Sequence, residues 1–218
     1  LANYVCVPAA AVALLLLFRV QPMTAAGFLV AAVCPGAPYG PPFTAIAKGN
    51  LPVSVGLMVV LAASSALVAP LILYWLLPLM SGGDSLRVDL VKMVVTLFAT
   101  QLLPLFAGLA VRQWHPNLAA RLLKPANLLG TILNLLMIGL IVSVQYKTLL
   151  VIRPFGVVGI LLLILAALAA GWALGTPGEG NRKAMAITTS VRNVGVSLVI
   201  ATSSFPGTPV VTATPASA

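Results

Sequence analysis

Acidic side chains are almost missing from this chain: its 218 residues carry three, Asp84, Asp89 and Glu179. All three stand in polar stretches containing Gly or Ser, outside the apolar runs. Histidine occurs once, as His115 between Trp114 and Pro116, and reads as a surface residue. A carboxylate pair, a His-based triad or a cluster of His and acidic metal ligands therefore cannot be assembled inside the apolar runs. That excludes the common enzyme chemistries and any metal site there. The two cysteines, Cys6 and Cys34, lie in apolar surroundings without metal-ligand spacing. They read as small buried hydrophobes, not as a disulfide framework. Charge of either sign is scarce, at 7% of residues, where a soluble domain carries about 25%.

Hydrophobic residues, in contrast, make up 61% of the chain, and the mean hydropathy is +1.11. The formal charge of +9 would suggest nucleic acid if the bases were clustered. Here they stand singly between apolar runs, the pattern of Lys and Arg flanking membrane spans. The expected partner is the lipid bilayer and not nucleic acid, and the expected location is the cell membrane, crossed several times. The runs are too long and too uniformly apolar for barrel strands, which alternate over about ten residues. An all-α polytopic helix bundle follows, because lipid forces each backbone group to find its partner within a helix.

The first run covers residues 1–18 and is closed by Arg19 and Pro22. It has neither the charged start nor the cleavage site of a signal peptide. A second run, 23–33, is too short to cross the membrane. Four prolines and two glycines then crowd the nine residues 34–42, where a helix cannot continue. Residues 43–47 are apolar again. Further runs cover 53–80, 90–111, 128–144 and 155–174, with polar loops expected at 81–89, 112–124 and 175–183. A run at 184–204 is apolar at its ends and polar in the middle. Another starts near residue 210. We expect the chain to be a fragment of a longer protein.

Two of these segments break the helix pattern. One is 23–48, broken at 34–42. The other is 184–204, whose centre reads Thr188-Thr189-Ser190-Val191-Arg192-Asn193-Val194-Gly195. Irregular backbone at membrane depth survives only where protein buries it or where it lines a wet cavity. Half-helix ends can then offer N–H groups and carbonyls to a solute near the midplane. Arg192 sharpens the point, since an arginine in mid-span costs at least ~2.5–3.5 kcal/mol on insertion scales. With no acidic residue in any apolar run, its partners are carbonyls, water or an anionic solute. The candidate substrate-binding residues are Pro35, Gly36, Pro38, Tyr39 and Thr44 from the first segment. From the second they are Thr188, Thr189, Ser190, Arg192 and Asn193. The two breaks are expected to meet, because each then covers the other's exposed peptide groups. Gln101, Asn134, Ser64 and Ser65 are polar positions for helix packing.

Cys34-Pro35-Gly36-Ala37-Pro38, Ala47-Lys48-Gly49-Asn50, Arg182-Lys183-Ala184-Met185 and Arg192-Asn193-Val194-Gly195, in that order and spacing, resemble the bile acid:sodium symporter family. The resemblance implies ten membrane helices in two inverted repeats, with two unwound helices crossing near the sodium and substrate sites. On that template residues 1–80 are core-domain helices, the third to fifth. Residues 88–150 are the sixth and seventh, in the panel domain. Residues 154–218 are the eighth, the ninth and the start of the tenth, again in the core. The first two helices and most of the last would lie outside the chain. Sodium ligands are largely replaced: Gly40-Pro41 stands for Ser-Asn, Met58 for Thr, Thr188 for Glu and Arg192 for Gln, while Ser54 is retained. Ser54 and Thr188 are the only ion-binding candidates left. The expected function is a secondary transporter or permease for a small organic anion, a symporter by resemblance but with no resident cofactor. The alternative is a membrane sensor or structural subunit that does not transport.

Overall fold

An apolar chain in lipid must pair its backbone internally, and the described residues do so mainly with helices. The computed structural model describes residues 1–81, 88–150 and 154–205. The loop expected at 81–89 therefore lies mostly outside the described residues, as do residues 151–153 and the run expected from 210.

A π-turn, Ala2–Cys6, leads into α1, Val7–Leu17. Two short helices follow, α2, Pro22–Ala32, and α3, Gly40–Ile46. Helix α4 is Leu51–Ser81 and runs unbroken through Pro70 and Pro78. Helices α5, Leu90–Leu97, and α6, Leu103–Trp114, are joined by a second π-turn, Phe98–Leu102. Then come α7, Pro116–Leu150, and α8, Pro154–Ala173. The last pair is α9, Glu179–Ser190, and α10, Val194–Ser204. Among the described residues there is no strand. Among the described residues, four stretches are long and apolar enough to cross a membrane: Leu51–Leu79, Leu90–Trp114, Gly156–Ala173 and Glu179–Ser204.

Much of the exterior is apolar. Trp75 is 70% exposed and Val91 72%, surfaces that water would reject and lipid accepts. At the centre lies α2. From Ala25 to Ala37 the chain is buried on every side, and its small residues Ala25, Ala26, Gly27, Ala31 and Ala32 let neighbours approach closely. Helix α4 packs on α2, α3, α9 and α5. Helices α8 and α9 share a tight seam: a Cβ on Gly171 would stand 2.6 Å from Ala186 Cα, so only glycine fits there.

Three boundaries differ from the sequence expectation. The break in the first segment is narrower than 34–42, because Pro41 and Pro42 sit in the first turn of α3. Backbone N–H groups at a helix start have no intrahelical acceptor, so prolines lose nothing there. The stretch 112–124 is helix apart from His115, the single non-helical residue between α6 and α7. The Gly-rich loop at 175–183 ends early, with α9 starting at Glu179.

Candidate solute site at the helix crossing

Helix α2 has 11 residues and α3 has 7. At 1.5 Å per residue they reach about 16 Å and 10 Å, so neither crosses a ~30 Å hydrocarbon core alone. Residues 33–39 join them without regular structure. Gly36 adopts φ +84 within that stretch. The second pair repeats the arrangement: α9 stops at Ser190, residues 191–193 are unwound, and α10 starts at Val194. Helix α9 packs against α3, and α10 against α2. The two broken segments thus cross at their breaks.

Hydrogen bonds tie the crossing together. Asn193 donates its backbone N–H to the Cys34 carbonyl at 2.8 Å and its side-chain amide to the Gly36 carbonyl at 3.3 Å. Its Oδ1 accepts from Val196 N–H at 3.2 Å, capping α10. Arg192 is 4% exposed. Its guanidinium donates to the Ala32 carbonyl at 3.2 Å and to the Thr189 carbonyl. Those two carbonyls sit at the C-terminal ends of α2 and α9, where helix dipoles concentrate partial negative charge. One cation therefore answers both helix ends at once. Only two of the five donors on an arginine are used in this way.

Beside the crossing lies a cluster of three buried hydroxyls, Thr44 on α3, Ser54 on α4 and Thr188 on α9. Thr188 donates to the Ala184 carbonyl at 2.6 Å. Its oxygen is 3.2 Å from Ser54 Oγ, and Thr44 donates to Ser54 Oγ at 2.9 Å. Because the Thr188 proton is committed to Ala184, Ser54 must donate to Thr188. The single Thr44 proton has two acceptors in reach, Ser54 Oγ and the Gly40 carbonyl at 2.9 Å, and serves one of them at a time.

Of the residues chosen from sequence, Gly36, Arg192 and Asn193 meet at the crossing, joined there by Thr189 through its carbonyl, and Thr44, Ser54 and Thr188 meet beside it. Pro35 is buried in the break itself. Pro38 is exposed, and Tyr39 is half-buried with its hydroxyl unpartnered among the described residues. Ser190 turns back to its own helix, donating to the Ile187 carbonyl at 3.0 Å. Sequence reasoning missed Asn3 and Tyr4. Asn3 is 2% exposed and donates to Thr189 Oγ1 at 3.2 Å, while its Oδ1 has no partner among the described residues. Tyr4 donates to the Leu61 carbonyl at 3.0 Å and meets Ser64 Oγ at 2.7 Å. The available signal was an amide and a phenol at the start of an otherwise apolar run. Among the described residues no group of His, Cys, Asp or Glu could hold a metal ion.

Two antiparallel broken helices, crossing at buried unwound segments inside an apolar bundle, define a transporter-type membrane architecture. The chain belongs to the sodium bile acid symporter family, whose model matches residues 1–176. It is similar to a protein of Oryza sativa subsp. japonica described as "Probable sodium/metabolite cotransporter BASS2, chloroplastic". The two are 23% identical over 208 residues, which cover 94% of this chain and 48% of the relative. The chain thus spans about half the length of that relative.

Proposed function

We propose that this chain forms the solute-binding part of a secondary transporter for a small organic anion, and that its transport does not depend on sodium. The observation that carries the reading is the placement of Arg192, a buried cation with no acidic partner among the described residues, on the carbonyls of Ala32 and Thr189. Sodium needs several oxygen ligands, as hard cations do. The Ala32 and Thr189 carbonyls already face a guanidinium, which repels a second cation, and those of Cys34 and Gly36 accept from Asn193. The hydroxyls of Thr44, Ser54 and Thr188 are satisfied by one another and by backbone. Both the matched family and the rice relative carry sodium in their names; on our reading this chain has replaced the mobile ion with a fixed one. The planar donor fork of Arg192 suits a carboxylate or sulfonate. Tyr39, Thr189, Ser190 and Asn193, with the peptide groups from Pro35 to Pro38, complete the proposed substrate contacts. Residues 1–80 and 154–218 would form a core carrying the site, and 88–150 a panel against which it rocks, the two repeats being inverted.

Uptake of an organic anion by the full-length protein in proteoliposomes tests this directly. Replacing sodium by choline should leave the rate unchanged. Arg192→Gln should abolish anion binding, read by the loss of ligand-induced thermal stabilisation. A steep sodium dependence, or tight anion binding by the variant, would show the reading to be wrong. Absence of flux for every anion tried would favour a sensor or structural subunit.

A further inference from the structure

A second polar feature lies at one end of a span, away from the crossing. The stretch Leu90–Trp114 is a membrane-crossing helix by length and composition, so its last residue stands at headgroup depth. There Trp114, His115, Pro116, Asn117, Leu118 and Arg121 line a cavity of about 360 Å³. Every one of these side chains is exposed, and Trp114 is 73% so. The polar groups at the cavity are an indole N–H, an imidazole, an amide and a guanidinium, with no carboxylate among them. Arg112 lies two residues before Trp114. Lys124 follows Arg121 by three, on the same helical face. No Asp or Glu occurs between Asp89 and Glu179, and the one ion pair among the described residues joins Lys183 to Glu179 elsewhere. The patch is thus purely basic, and its charge is unanswered within the described residues.

We propose that this cavity holds the phosphate headgroup of an anionic phospholipid. The depth selects a lipid over a free solute: a tryptophan at a span end anchors at the headgroup level, and Leu118 and Pro116 give the cavity an apolar side for the acyl boundary. The charge selects an anionic lipid over a zwitterionic one, each Lys or Arg near an anionic surface adding attraction. Arg121 would take the phosphate oxygens with its paired donors, Asn117 and the Trp114 indole N–H would donate to the glycerol side, and Arg112 and Lys124 would supply the surrounding field.

The test uses the purified, delipidated full-length protein in detergent and follows its thermal transition. Added phosphatidylglycerol should raise the transition, and phosphatidylcholine or inorganic phosphate should not. Arg121→Gln should weaken the apparent phosphatidylglycerol affinity about fivefold, the loss expected for one surface cation. Arg121→Lys should recover part of it. Lys92→Gln, at the opposite end of the same span, should leave it unchanged. Equal stabilisation by phosphatidylcholine would overturn the proposal. So would an undiminished effect in Arg121→Gln, or an equal loss in Lys92→Gln, which would mean diffuse surface charge. Stabilisation by inorganic phosphate alone would make the cavity a free-anion site and reject the lipid. None of these outcomes depends on whether transport needs sodium.

Discussion

At Gly36 the backbone takes φ +84, a conformation in which L side chains are strained by about 1–2 kcal/mol. Space is a second constraint. A Cβ there would lie 2.5 Å from Ala62 N and 2.9 Å from Ala62 Cα, both backbone atoms of α4. Backbone cannot swing away as a flexible side chain can, so the break itself would have to move. Gly36→Ala should therefore destabilise the fold by at least ~2 kcal/mol, seen as a lowered thermal transition in detergent. An unchanged transition would mean that residues 33–39 do not rest on α4 as described. Arg19 and Lys48 show the opposite tolerance. Both adopt positive φ, 48 and 54, but each ends a helix in a Schellman turn, with Val20 N–H on the Leu15 carbonyl and Gly49 N–H on the Thr44 carbonyl. Their charge also complements the helix C-terminus, which offsets the strain.

Among the elements, the two π-turns share a feature. Each carries a side-chain amide that reaches another helix, Asn3 from Ala2–Cys6 and Gln101 from Phe98–Leu102. The extra residue in a π-turn displaces one side chain from the regular helical face, a device found often at functional positions. Gln101 donates to the Ala62 carbonyl and to Ser65 Oγ at 3.0 Å. Ala62 is the same residue on which Gly36 rests, so α4 touches the break on one side and the π-turn on the other. Polar contacts between membrane helices contribute about 0.6 kcal/mol on average and at most ~1.7. A double-mutant cycle of Gln101→Leu with Ser65→Ala, measured by denaturation in detergent, should give a coupling energy in that range. Strict additivity would mean that the two side chains do not interact.

For the whole molecule, the proposed division into two bodies makes contrasting predictions for cross-links. Ser54 and Thr188 are 134 positions apart in sequence, yet their hydroxyls are 3.2 Å apart, and both fall in the proposed core. Ser54→Cys with Thr188→Cys, in a background with Cys6 and Cys34 replaced by alanine, should form a disulfide on oxidation. Uptake should survive it, since a body that moves rigidly is not hindered by an internal tie. Gln101 and Ser65 fall in different bodies. Their cysteine pair, bridged by a short bifunctional thiol reagent, should arrest uptake. Arrest by the first tie, or free uptake with the second, would reject the division as drawn.

Much of the architecture followed from the order of residues. The scarcity of charge and the length of the apolar runs determine an all-helical membrane chain, because lipid leaves the backbone no other way to pair. The proline and glycine cluster at 34–42 marks one break for the same local reason, loss of the N–H and of helical φ. The polar run around Arg192 marks the other through the cost of charge in mid-span. Their exact limits were not legible, since whether Pro41 interrupts a helix or starts one depends on where the preceding turn ends. Tertiary structure alone decided what the polar groups do. Folding set two of the Arg192 donors against the C-terminal carbonyls of two helices distant in sequence, a placement that its own segment does not encode. Thr44, Ser54 and Thr188 became a hydroxyl cluster only because three helices met, and Asn3 joined the crossing through a contact that no local pattern encodes. Hydrogen-bond partners between distant segments are chosen by packing, and packing is a property of the assembled bundle.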